Sequence, residues 1–428
     1  MQYIVRQYEV LFPRLPYPIR LLLNLAFLPI ILFWAMPRAL LRLDRANNHF
    51  TGTHADVPEM DQGQFHLDAK TRAEVSRQPG AFLHMQGMIQ AENWTGFLRQ
   101  LKAWDDVNAH EEGDPLVYTG SRAARWKQYA FLQEQDDCSG MAAWELPWDA
   151  IEALEMEFAR DHTDPRLAAV LARAHDELAW ARRGGDLADA VSRDGWRGFE
   201  EQLNRANQIV SDFDAAKEGS YLLASVTHTI ALSSEWEDAA RDRAFQTCLD
   251  LNPKCWGSMA ERAFHLLPRW GGDYEQLEVA ARQAMSDTHQ FGAAVYAAFY
   301  LGVINCDEGA LFSCDAELFA EGLSDMAAAE NGDQVLVNRL IETVIEIVTP
   351  QVGVFGRDDI NARRADFARA ADKLFRDHFC CHVTDVWTSA PQEAFNIAAS
   401  MYAPELEAGQ QITLSLSGGI NIGAVPQT

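Results

Sequence analysis

The chain holds 428 residues, 48% hydrophobic and 10% aromatic, with 36 Lys and Arg against 62 Asp and Glu. That composition excludes a disordered or collagen-like chain. A formal charge of −26 lacks the basic footprint of a sequence-wide nucleic-acid binder; it suits a basic partner, or solubility alone.

The charge is uneven. Residues 1–46 carry six Arg and two acids, Glu9 and Asp44, for a net of +4, which leaves −30 on the remainder. Within this head, residues 21–36 are uncharged and include Leu21, Leu22, Leu23, Phe27, Leu28, Ile30, Ile31, Phe33 and Trp34. As a helix the run is about 24 Å long, short of the roughly 30 Å hydrocarbon core, and Pro29 would kink it. Three arrangements compete: a short tilted spanning anchor, an interfacial helix, and a helix buried against a soluble body. Arg20 and Arg38 can snorkel and Trp34 suits the headgroup layer, so association of residues 19–43 with an anionic bilayer is expected. The twenty residues ahead of the run and the lack of an Ala-x-Ala site disfavour a cleaved signal peptide. Residues 47–80 read as a polar linker.

Seven cysteines, two of them adjacent at Cys380 and Cys381, show no CxxC spacing. Buried thiols in a reducing compartment, and hence the cytoplasmic face, are expected. Cys306 and Cys314 are the pair that could bridge two helix ends in an oxidising one.

From residue 81 to 348 the pattern is helical. Trp256, Met259, Ala260, Ala263, Phe264 and Leu267 share a face, which Pro268 closes. Ser234 and Glu237 predict a capping box opening the helix before it. Leu336, Val337, Leu340, Ile341, Val344 and Val348 form the clearest stripe. Residues 291–304 are apolar nearly all round and should be central. Helix starts headed by Trp196, Trp236 and Tyr274, 40 and 38 residues apart, suggest helix–turn–helix repeats slightly longer than the roughly 34-residue tetratricopeptide unit. The expected fold is all-α: a tetratricopeptide-like helical-repeat body, either an α-solenoid or a compact helical array. An N-terminal apolar helix precedes it and a small C-terminal β-hairpin follows.

Three stretches carry a resemblance: Glu177 to Asp186 (Glu-Leu-Ala-Trp-Ala-Arg-Arg-Gly-Gly-Asp), Gly195-Trp-Arg-Gly-Phe199, and Leu266-Leu-Pro-Arg-Trp-Gly-Gly272. They resemble an uncharacterised bacterial domain-of-unknown-function family with tetratricopeptide-like helices, over about residues 80–290. The resemblance implies an α-helical repeat fold and transfers no catalytic residue. Physically, Gly271 and Gly272 suit a positive-φ helix stop, Trp270 a wedge between helices, and Arg269 a donor to helix-end carbonyls. Alternatively Arg183, Trp196, Arg269 and Trp270 line a partner groove on a concave repeat surface.

Residues 349–428 read as a third part. Phe367, Ala371, Leu374 and His378 continue a helical stripe. His378-Phe-Cys-Cys-His382 offers metal donors without a second half, so a satisfied helix-end histidine is expected and no metal. Ile412, Leu414 and Leu416 alternate with polar residues before Gly418-Gly419, predicting a hairpin with a two-residue turn.

No phosphate loop, zinc-protease, hydrolase or dinucleotide motif is present. The pairs Asp105-Asp106, Glu111-Glu112 and Asp136-Asp137 read as solvated loop acids. No cofactor or small-molecule ligand is indicated. Two functions follow. One is a membrane-associated interaction module whose acidic body binds a protein partner, in its narrowest form an immunity or antagonist protein neutralising a basic toxin. The other is an enzyme assembled across the helical stack, around His265, His378 and His382.

Overall fold

The computed structural model describes residues 65–75, 81–108, 110–111, 114–115, 149–184, 188, 190–234, 236–349, 357–384, 386–387 and 397–424. The apolar run at 21–36, with its nine anchor candidates, lies outside them. Among the described residues no helix is long and apolar enough to cross a membrane.

The molecule is mostly helical, and its helices build two apolar cores. The first core is made by α1 (Ala81–Gln90), α2 (Trp94–Asp105), α3 (Asp149–Arg160), α4 (Pro165–Arg183) and α5 (Arg193–Ser211), with one face of α6 (Tyr221–Ser233). Leu222, Leu223, Val226 and Ile230 of α6 point into it, while Tyr221 and Ala224 point into the second core. That second core collects α7 (Asp238–Leu251), α8 (Trp256–His265), α9 (Tyr274–Asp287), α10 (Ala294–Leu301), α11 (Glu308–Ser313), α12 (Ala316–Ala329) and α13 (Gln334–Val348). It also takes in α14 (Asp358–Ala365) and α15 (Ala368–Asp377). Helix α6 is thus a shared wall, and the single 81–348 domain expected from the sequence is two cores divided at that helix.

Short polar residues set the helix starts. Asp164 accepts from the Arg166 and Leu167 amides with Pro165 following it, and Ser220, Asp273 and Asp333 cap α6, α9 and α13 likewise; each supplies an acceptor to otherwise orphaned N–H groups. The capping box expected at Ser234 does not form. Helix α7 begins at Asp238 without a side-chain cap, because the Ser234 hydroxyl accepts from Asn207 Nδ2 at 2.8 Å. The aromatic repeat markers fall at unequal positions: Trp196 lies inside the first turn of α5, Trp236 precedes α7, and Tyr274 opens α9.

Helix α10 is central, as its all-round apolarity predicts, with Ala294 to Tyr300 fully buried. It runs close to α12 because Gly322 has no side chain: a Cβ there would overlap the Ala293 carbonyl and the Ala297 methyl. Gly322→Ala is therefore expected to cost about 1–3 kcal/mol by overpacking. Urea unfolding checks this, and an unchanged midpoint contradicts it.

The C-terminal segment is no separate part. Phe367, Leu374, Phe375, Phe379, Tyr402, Ile412 and Leu414 are buried in the second core. Strand β4 (Gln410–Ser415) pairs antiparallel with β5 (Gly419–Ala424) and parallel with β1 (Phe65–Leu67), Phe65 facing Ile412. Strand β2 (Ala69–Lys70) pairs parallel with β3 (His382–Val383). The supposed linker 47–80 therefore holds a strand, β1, that docks the hairpin, which alone would be marginal. The turn spans residues 416–418, one longer than expected, since Ser415 faces Gly419 and its hydroxyl accepts from the Gly418 amide at 3.0 Å.

Asp105 is likewise no loop acid. It ends α2 almost fully buried, meets Arg166 Nε at 3.1 Å, and accepts from the Leu222 amide at 2.8 Å. One carboxylate thus ties α2, α4 and the start of α6 together.

Candidate functional site at the seam between the cores

Three helices turn polar stripes toward the boundary of the two cores. On α4 these are Arg173, Asp176 and Glu177; on α6, Ser225, His228 and Thr229; on α8, Ser258, Glu261, Arg262 and His265. Steps of three or four residues place each set on one helix face.

The stripes interlock. Ser225 and Ser258 hydroxyls meet at 3.1 Å, the Thr229 hydroxyl donates to Glu261 Oε2 at 2.7 Å, and Arg173 Nη1 lies 3.7 Å from Glu261 Oε1. Arg173 also pairs with Glu177 at 3.1 Å and Asp176 at 3.5 Å. The Glu261 side chain keeps 36% of its surface. Desolvation raises the Glu261 carboxyl above its ordinary range, opposed by Arg173 and the Thr229 bond and reinforced by Asp176.

Two histidines belong to the same stripes, His228 on α6 and His265 on α8. Burial pushes His265 down to about 4, with Arg241 and Arg262 adding to it. Burial, then Arg262, pushes the fully enclosed His228 down to about 3. Arg262 is itself held by Asp242 at 2.5 Å.

Toward the surface the seam becomes a ladder of aromatics and arginines. The Arg183 guanidinium lies over Trp196 at 5.0 Å and Trp180 at 5.5 Å. Trp180 stands edge-on to Phe199 at 5.0 Å and to Trp270 at 6.0 Å. Trp270 continues to His265 at 5.4 Å and Phe264 at 5.7 Å, and Arg269 covers Phe264 at 4.9 Å. The four residues singled out from the sequence, Arg183, Trp196, Arg269 and Trp270, are therefore brought together. From the Arg173–Glu261 contact to the Trp180–Trp270 contact is two turns of α4, about 10 Å.

The glycines act as expected. Gly271 has φ +92°, and a Cβ on Gly272 would overlap the Leu266 carbonyl. Arg269 differs from expectation: it stacks on Phe264 and donates to Cys306 Sγ at 3.3 Å. Trp270 is no filled wedge but 39% exposed. Trp270→Ala is accordingly expected to cost about 1–2 kcal/mol, below the roughly 3–5 kcal/mol of a buried truncation. Urea unfolding measures it, and a loss above that lower range would place the ring in the core.

His378 and His382 do not join His265. Helix α15 stops at Asp377, so the two are not on one helix face: His378 meets the Ser324 hydroxyl at 2.8 Å, and His382 is buried in β3 against Trp387. Helix α13 holds this segment. Gln334 Oε1 accepts from the Cys380 and Cys381 amides, and Asn338 Oδ1 accepts from Val383 N at 2.9 Å and Trp387 Nε1 at 2.6 Å. Cys248, Cys255, Cys306, Cys314, Cys380 and Cys381 are free thiols, so Cys306 and Cys314 are not bridged. Cys138 lies outside the described residues.

Sequence reading missed Arg173, His228 and Glu261. Their signal was present as polar residues at helical spacing inside apolar helices, as in the run from Leu222 to Leu232. No protein-family model, curated protein or solved structure matches the chain.

Proposed function

We propose that the chain is a membrane-associated helical-repeat interaction module of tetratricopeptide-like type, without catalysis. In this reading its acidic body binds a basic protein partner, and residues 19–43 associate with the membrane from the cytoplasmic face. One observation carries the reading. Trp270, joined through Trp180 to Arg183 and Trp196 and followed along the ladder by Phe264 and Arg269, belongs to a partly exposed series of the residue types that dominate binding hot spots. The −30 body beside a +4 head supports a basic partner drawn to an anchored protein; antagonism of a basic toxin is the narrower form.

The test is affinity capture from native membranes with the full chain, beside a chain starting at Asn47, with vesicle flotation of both. The expected result is a stoichiometric partner retained by both chains and vesicle binding lost from the shorter one. No partner with either chain overturns the reading.

A second reading, an enzyme assembled across the stack, is favoured by one pair. Glu261 and His265 sit a turn apart on α8, one carboxyl raised and one imidazole lowered, and divergent acid and base environments are what proton-transfer sites use. Under this reading Glu261→Gln abolishes a turnover while partner capture is absent. Capture undiminished in Glu261→Gln supports the first.

A further inference from the structure

Away from the seam, a cleft of about 390 Å³ opens between α6, α7 and the short helix Ala215–Glu218. We infer that it binds a small apolar monocarboxylate, with Arg243 holding the carboxylate.

Small residues recur along the cleft: Ala215, Ala224, Ala240 and Ala244. Phe213 and Trp236 give it flat aromatic walls. The indole plane is fixed, since Trp236 Nε1 donates to Asn207 Oδ1 at 2.8 Å. Volume, aromatic walls and a few polar groups are the features of a small-molecule site.

The polar groups lining the cleft decide the ligand. Asp214 is already used: it pairs with Lys217 at 2.8 Å and caps the short helix. Thr247 donates to the Arg243 carbonyl. Two groups remain. The Arg243 guanidinium is exposed, and among the described residues it has no ion pair or hydrogen bond. The half-buried Thr227 hydroxyl likewise has no hydrogen-bond partner among them. Most of the described arginines pair with carboxylates, as Arg241, Arg262, Arg282 and Arg376 do, whereas Arg243, which lines the cleft, does not. A planar guanidinium matches a carboxylate through two parallel bonds, and a hydroxyl can donate a third. One cation in a strongly acidic protein selects a single negative charge, because a multiply charged ligand would meet uncompensated repulsion beyond it.

The test is isothermal titration calorimetry of the full-length protein with phenylbutyrate and indolepropionate, beside their primary amides. The expected result is saturable binding of at least one acid, weakened about tenfold or more in the amide, as loss of a charge-assisted bond implies. Arg243→Gln should weaken the acid to the level of its amide and leave the amide unchanged. Ala240→Phe, which fills the cleft, should abolish both; should it fail to fold, the Arg243→Gln and amide comparisons still decide. Absence of saturable binding by either acid, or acid binding unchanged in Arg243→Gln, overturns the proposal.

Discussion

Acidification from pH 7 to 4.5 is expected to cost the fold about 5 kcal/mol through His228 and His265, roughly 1.4 kcal/mol per pH unit for each. The sign follows from their lowered values of about 3 and about 4. Above pH 6.5 both rings are neutral whether folded or not, and their contribution is constant. As the pH falls below 6.5 the unfolded chain binds protons that the folded seam refuses, so stability is lost until the folded values are reached. Glu261 works in the opposite direction: its raised carboxyl takes a proton sooner in the folded state and offsets part of the loss. Glu155 adds a later loss. Bonds from Arg205 and His175 hold it down at about 2, so its contribution, present above about 4.5, disappears as the pH falls toward about 2. Urea unfolding between pH 4 and 8, with His228→Leu for comparison, measures the effect. The variant should show a shallower decline below pH 6.5; parallel curves would remove His228 from the account.

Asn338→Ala is expected to cost about 3–6 kcal/mol, because several buried polar groups lose their partners at once. The side chain is fully buried and makes four bonds. It donates to the Gln334 and Cys381 carbonyls at 2.7 and 2.8 Å and accepts from Val383 N and Trp387 Nε1. Its removal orphans Val383 N–H and the indole N–H beside β3. Hydrogen exchange should rise first across residues 378–387, and chemical unfolding gives the magnitude. A loss under about 1 kcal/mol, the worth of one ordinary hydrogen bond, would contradict this reading of the segment.

What was legible in the sequence is what is local. The stripe of α13, the apolar α10 and the Gly271 stop were readable because helical period and positive φ are written within a dozen residues. The two cores were not, since their division rests on which face of α6 meets which neighbours. Nor was the seam: Glu261 meets Arg173 across 88 positions, and nothing near either residue announces the other. Phe65 finds its strand partner at Ile412, so a segment read as linker becomes part of a sheet. Of Asp105 and Asp106, which acid is buried depends on Arg166 and the start of α6. The members of the candidate ladder were visible one by one, because Arg183, Trp196, Arg269 and Trp270 sit beside glycine-marked corners, while the contact of Trp180 with Trp270 across 90 positions was not.

The most direct test of the seam as a recognition surface is quantitative partner capture by full-length protein in three forms. These are the unaltered chain, Arg183→Ala with Trp270→Ala, and Ile422→Thr on the exposed hairpin. The account predicts equal capture by the first and third, and a loss of about tenfold or more in the double variant. Capture by the double variant at the unaltered level would place the contact elsewhere on the molecule and contradict it.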